Sequence, residues 1–286
     1  MTASALDRLG ERRTEVGAPR CVGIDPHPDQ LPDGLTPDVL GVEAFARGLI
    51  ESAGPEAVAV KINVAFFEAF GSAGWAALER IRGDIPRELI CILDAKRGDI
   101  GTTAERYAAG LFGRLEADAV TLSPYLGEDA IEPFLEYPGR LVYLLARTSN
   151  PSASRVQELN VGGEPLHLRV AHWAAERWQD GRVNLVVGAT APEELGMLRQ
   201  AVPGPGFLVP GVGAQGGDLR ASVRHCDGAW APGVVSVSRG IASASRGADW
   251  RSAAQHAAAS LRRRMADAVL HSTASPAHAV HHGGSE

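Results

Sequence analysis

The sequence predicts a single-domain α/β protein of the (β/α)8 TIM-barrel class, and three observations carry that prediction. Eight short runs rich in β-branched residues recur along the chain, and stretches rich in Ala, Leu, Glu and Arg at helical spacing separate most of them. The runs are also almost continuously apolar rather than alternating. Strands of that kind are buried on both faces, as in a parallel sheet covered by helices, and eight successive units favour a closed barrel over an open doubly wound sheet. A chain of 286 residues suits one such barrel.

The expected strands fall at residues 20–25, 57–64, 89–96, 117–123, 140–147, 183–189, 206–210 and 233–239. Helical patterns between them include 42–53, 73–82, 103–116, 127–136 and 166–179. Two helices stand outside the eightfold count, one at 4–14, expected to cover the barrel floor, and one at 249–269. The chain therefore divides into an N-terminal helical segment (1–19), the barrel (20–269) and a tail (270–286). From His271 the tail lacks apolar periodicity and is expected to be disordered, its histidines solvated. The stretch 148–163, TSNPSASRVQELNVGG, is long for a connection after a strand, and its length fits either a lid or a plain surface insertion.

Composition excludes several classes. No apolar run approaches the ~20 residues that a membrane span needs, and residues 1–20 lack the apolar centre of a secretory signal, so a cytoplasmic enzyme is expected. A net charge of −6, with basic residues concentrated only at Arg262–Arg264, argues against a nucleic-acid surface. Three widely spaced cysteines show neither a disulfide framework nor a zinc motif. Small molecules and a second copy of the chain are the expected partners.

Of the 28 basic residues only Lys61 and Lys96 are lysine. An ammonium is a compact charge that can give up a proton, whereas a guanidinium stays charged, so the two exceptions mark places where that difference matters. Both lie at the C-terminal ends of expected strands, where barrel active sites gather. Lys61 ends the second strand in AVAVKINV, and the third ends in ICILDAKRGDIGTT with Asp94, Lys96 and Asp99. Side chains two apart on a strand share a face, which directs Asp94 and Lys96 to one pocket. Asp25, ending the first strand, adds a carboxylate. A salt-bridge ring of purely structural purpose is the alternative reading.

The opposite side of the mouth suits phosphate. The seventh strand runs into LVPGVGAQGGD and the eighth ends in VSVSRGIASAS, which places glycine-rich backbone, Gln215 and Arg239 where barrels hold a phosphate. Gly211, Gly213 and Gly216 also spell G-x-G-x-x-G. A dinucleotide fold would put that motif in its first βαβ unit, with an acidic residue ~20 positions on; here it follows the seventh strand, and Asp and Glu are absent between Asp227 and Asp249.

The run D-A-K-R-G-D-I-G-T-T at 94–103, with Lys61 before it and P-G-V-G-A-Q-G-G-D at 210–218 after it, closely resembles the orotidine 5'-phosphate decarboxylase family in its longer bacterial subgroup. The resemblance covers Cys21 to Ile241. It implies cofactor-free and metal-free conversion of orotidine 5'-phosphate to uridine 5'-phosphate, the last step of de novo UMP synthesis, by a homodimer with shared active sites. Carried over residue by residue, it makes Lys96 the proton donor to the ring carbon that loses carbon dioxide, and Asp94, Asp99 and Lys61 the rest of an alternating charge array. Asp99, Ile100 and Thr103 would come from the neighbouring subunit. Asp25 and Lys61 would meet ribose hydroxyls, Ser149 the pyrimidine, Gln215 phosphate and base, and Arg239 the phosphate, with Pro210 beside the ring. The family pattern has glycine before that arginine where this chain has Ser238, at the backbone contact to phosphate.

Three rivals share parts of this pattern. Magnesium-dependent sugar-phosphate lyases and synthases of the same barrel group resemble it but carry a metal-binding glutamate at the end of the second strand, where an ammonium such as Lys61 would repel the cation. A Schiff-base aldolase needs a lysine of depressed pKa, and the neighbouring carboxylates act the other way. A non-catalytic phosphate-binding barrel would have no use for Lys96 and both aspartates.

Overall fold

The computed structural model describes residues 3–190, 192–213 and 216–273. Eight parallel strands close into a barrel: β1 (Arg20–Ile24), β2 (Ala59–Asn63), β3 (Ile90–Arg97), β4 (Ala119–Leu122), β5 (Leu141–Arg147), β6 (Val183–Val187), β7 (Phe207–Pro210) and β8 (Val234–Val237). Each pairs with its neighbours in sequence, and β8 closes on β1 through Arg20–Val235 and Val22–Val237. The expected fold class is the observed one. Strands such as β1 and β6 are buried along their whole length, because the barrel interior takes one face and the surrounding helices the other.

Eight principal helices surround or flank this sheet: α1 (Ala5–Val16), α2 (Val39–Ala53), α3 (Gly71–Asp84), α4 (Gly101–Ala108), α5 (Leu166–Arg177), α6 (Pro192–Ala201), α7 (Leu219–Cys226) and α8 (Trp250–Thr273). Local chemistry sets several of their starts. Ser4 and Asp7 form a capping box on α1, Asp38 accepts from Leu40 and Gly41 N–H at the start of α2, and Asp218 accepts from Ala221 N–H at the start of α7. Arg20, fully buried at the start of β1, donates to the carbonyls of Ala53 at the end of α2 and Glu56 just past it, and burial lowers its pKa to about 10. A cation there also meets the negative end of the helix dipole.

At the N-terminal ends of the strands, α1 lies against the floor. Ala5 N–H donates to Gly139 O at 2.8 Å, and Arg8 reaches Arg87 O and the buried Asp118. Asp118 also accepts from Cys91 N–H at 2.9 Å and pairs with Arg140 at 3.3 Å.

Three stretches depart from the sequence expectation. The expected helix at 103–116 is α4 followed by a wider-pitched π-helical segment, Ala109–Arg114, which keeps Leu111 and Phe112 buried. Residues 127–136 form only a 3-10 turn, Glu128–Ala130, and one helical turn, Glu132–Leu135; Gly127, at φ +81°, and Pro133 near the start of that turn keep a longer helix from forming. The last helix runs to Thr273, past the expected boundary at 270, and residues 274–286 of the expected tail lie outside the described residues. Among the described residues, no helix is long and apolar enough to cross a membrane.

Candidate active site

A cavity of about 630 Å³ opens at the C-terminal ends of the strands. Its charged wall is built by β1, β2 and β3. Register places Lys61 of β2 between Gly23 of β1 and Ile92 of β3, and places Asn63 beside Asp94. Lys61 is only 5% exposed, and its Nζ donates to Asp94 Oδ2 at 2.7 Å. Burial by itself would lower the pKa of Lys61, but the attraction of Asp94 and Asp25 outweighs it and holds the ammonium above its ordinary value. Asp94 is likewise penalised by burial, yet Lys61 and Lys96 together hold its carboxyl well below the usual carboxylate range.

Beyond Leu93 the pairing of β3 with β4 shifts register. Lys96 takes φ +47°, a left-handed backbone that non-glycine residues seldom adopt. Its side chain, 49% exposed, turns back so that Nζ donates to Asp94 Oδ1 at 2.5 Å. The expectation that simple strand alternation aims Lys96 into the pocket is thus corrected. The residue does reach the cavity, but through a bulged, left-handed turn of chain. One carboxylate, Asp94, is shared between two ammoniums, one buried and one open to the cavity.

Asp25, Ser149, Pro210, Ser238 and Arg239 also line the cavity. Arg239 begins the short helix Arg239–Ala242, and among the described residues no carboxylate forms an ion pair with it. Ser238 has φ −105°, a value any L-residue adopts, so the serine sits there without backbone strain. Its hydroxyl lies over β1, where a Cβ on Gly23 would stand 1.9 Å from Oγ. Gln215 lies outside the described residues. Asp99, Ile100 and Thr103 do not line the cavity: Asp99 Oδ1 accepts from Ile100 N–H at 2.8 Å, and Ile100 is 53% exposed.

The stretch after β5 is folded rather than loose. It contains a 3-10 turn, Pro151–Ala153, one helical turn, Ser154–Gln157, and a hairpin pairing Asn160–Val161 with Glu164–Pro165. Gln157 clamps its base: Oε1 accepts from Thr148 N–H at 2.8 Å and Nε2 donates to Thr148 Oγ1 at 2.7 Å. Arg147 ties the same stretch to α6 through Glu158 at 2.7 Å and Glu194 at 2.8 Å.

Several cavity residues went unnoticed in the sequence. Thr121 of β4 donates from Oγ1 to Asp94 Oδ1 at 2.9 Å and accepts from Lys96 N–H at 3.0 Å. Gln157 lines the wall, and His27 and Phe66 meet edge to face at the rim with ring centroids 4.5 Å apart. In the sequence Thr121 is one more β-branched strand residue, with no local signal to single it out. Among the described residues, no group of three or more His, Cys, Asp or Glu could hold a metal ion.

A closed parallel barrel with a lysine–carboxylate array and, among the described residues, an arginine in no ion pair around the cavity at its C-terminal mouth defines a barrel enzyme that binds an anionic substrate. The chain belongs to the orotidine 5'-phosphate decarboxylase / HUMPS family, whose profile matches residues 19–254. It is 49% identical over 245 residues to orotidine 5'-phosphate decarboxylase of Roseiflexus castenholzii, covering 85% of this chain and 90% of that one. Among solved structures, Leishmania donovani OMP decarboxylase superposes with a TM-score of 0.77 at 38% identity, covering 91% of this chain and 99% of that one. Leishmania donovani UMP synthase superposes at 0.81 with 40% identity, covering 92% of this chain and 56% of the longer synthase chain.

Proposed function

We propose that this protein converts orotidine 5'-phosphate to uridine 5'-phosphate and carbon dioxide without a cofactor, as a cytoplasmic homodimer. The observation that carries this reading is the Asp94 carboxylate shared between Lys61 and Lys96 at the wall of the cavity. Breaking the bond between the ring and its carboxylate leaves an electron pair in the plane of the pyrimidine, where the ring delocalises it poorly. Electrostatics must therefore lower the barrier.

Each part of the site has a role in that step. Asp94, with Asp99 of the partner subunit, repels the substrate carboxylate as carbon dioxide departs. The Lys96 ammonium stabilises the electron pair left on the ring carbon and gives it a proton. Half-exposed, Lys96 then recovers a proton from solvent. Lys61 keeps Asp94 ionised and, with Asp25, meets the ribose hydroxyls. The array opposes the ground state and favours the transition state, which is the condition for rate enhancement.

Arg239 and the backbone at Ser238 bind phosphate, helped by Gln215, while Ser149 and Pro210 flank the base. Ile100 and Thr103 of the partner subunit complete the cavity. Their exposure and their position outside this chain's own cavity support the shared site. Phosphate binding far from the reacting carbon contributes energy for closing the stretch 148–163 over the substrate.

The test is to mix the purified protein with orotidine 5'-phosphate in the presence of a chelator and follow the loss of orotate absorbance. Steady turnover is expected; no turnover, or turnover only on adding magnesium, overturns the reading. For the shared site, inactive Asp99→Ala and Lys96→Ala dimers are mixed and allowed to exchange subunits. Recovery of part of the activity is expected, and an active monomer would refute the shared arrangement.

A further inference from the structure

We propose that Thr121 is a positioning residue for the proton transfer, its hydroxyl fixing both the carboxylate and the backbone of the lysine that delivers the proton. The proposal rests on the decarboxylase reading above and extends it to a residue outside the charge array.

A threonine hydroxyl has one proton to donate and two lone pairs to accept with. In Thr121 the proton goes to Asp94 Oδ1 at 2.9 Å and a lone pair takes Lys96 N–H at 3.0 Å. The same Oδ1 receives Lys96 Nζ at 2.5 Å. The three groups form a closed ring, from backbone N–H to hydroxyl to carboxylate to ammonium and back along the Lys96 side chain. Thr121 itself cannot wander. It is 1% exposed, and its backbone is held in register with Tyr143 of β5.

The ring answers a need created locally. Where β3 slips register against β4, the part-buried Lys96 N–H meets the Thr121 hydroxyl, and a donor shielded from water without a partner is costly. Lys96 also stands at φ +47°, which persists only where the surroundings over-determine it. The Thr121 hydroxyl supplies the acceptor that holds this turn of backbone. In doing so it sets where the long Lys96 side chain starts, and by binding Asp94 it sets where that side chain ends.

Thr121→Val keeps the shape of the side chain and deletes both hydrogen bonds. Its kcat, referred to sites that bind one equivalent of uridine 5'-phosphate so that misfolded molecules do not count, is expected to fall about tenfold to a hundredfold, the scale of an ångström's misplacement at a reacting group. The KM for orotidine 5'-phosphate should stay within about threefold, since Thr121 acts through Lys96 and Asp94. Thr121→Ser, which restores the hydroxyl, should recover most of the lost rate. Should the valine variant fail to fold, Thr121→Ala carries the same expected values. A wild-type kcat in the folded hydroxyl-free variant, or a serine variant as slow as it, overturns the proposal. Wild-type protein that fails to turn over orotidine 5'-phosphate defeats the decarboxylase reading instead.

Discussion

The barrel carries a buried carboxylate ringed by cations at each end. At the floor, Asp118 is 2% exposed and faces Arg8, Arg140 and, at 3.9 Å, Arg82, while also accepting from Cys91 N–H. At the mouth, Asp94 faces Lys61 and Lys96. The floor uses arginine, whose planar fork makes several fixed hydrogen bonds and keeps its proton. All three arginines also donate to backbone carbonyls, Arg8 to Arg87 and both Arg82 and Arg140 to Glu116. The mouth uses lysine, a point charge on a flexible stem that can release a proton and take one back. Similar charge motifs thus serve opposite ends, one tying strand starts to α1 and the other placing two ammoniums at the wall of a cavity.

Breaking the mouth has the largest expected effect. Lys96→Ala should lower kcat by about a thousandfold or more, at the upper range for loss of a positioned general acid, while substrate binding survives. Lys96→Arg should remain as slow, because a guanidinium holds its proton. Stopped-flow turnover and equilibrium titration with orotidine 5'-phosphate read the two quantities, and an active Lys96→Arg enzyme would erase the distinction between the ends.

Lys61→Met comes next and sharpens the comparison through stability. Removing one partner of a buried pair typically costs about 3–5 kcal/mol; because Lys96 stays beside Asp94, the lower end of that range is expected in urea unfolding at pH 7. The depressed pKa of Asp94 contributes stability that is present above the unfolded carboxyl value of ~3.9 and is lost as pH falls through the folded value. The raised pKa of Lys61 contributes stability that is present below the unfolded value of ~10.4 and is lost as pH rises through the folded one. The difference between wild type and variant should therefore be flat from about pH 5 to 9 and shrink in stronger acid. A difference that changes steeply around neutrality would contradict the assigned charges.

Asp118→Asn should have the smallest effect. The arginines around it are part-exposed and can turn to water, so about 2 kcal/mol of stability is expected to go, with kcat unchanged. A tenfold loss of kcat at full stability would mean that the floor takes part in the chemistry.

Much of this arrangement was legible in the sequence, for physical reasons. Most of each strand is buried on both faces and so reads as a β-branched run; the run at 57–64 contains Ala59–Asn63, and that at 233–239 contains Val234–Val237. Lys61 and Lys96 stood out because arginine fills every other basic position. What stayed hidden depends on contacts between segments. The role of Thr121 comes from the register slip that brings β4 beside Lys96, and that of Gln157 from a loop folding back nine residues onto Thr148. The short turns at 128–135 escaped because helical spacing there competes with Gly127 and Pro133, whose backbone limits periodicity does not register.

The fit between Gly23 and Ser238 makes two distant positions a single heritable unit. A methyl group at 23 and a hydroxymethyl at 238 claim the same space, so a chain that acquires a side chain on the first strand must give one up before the arginine of the eighth. Within the family these two columns should vary together, although they stand 215 positions apart in the sequence.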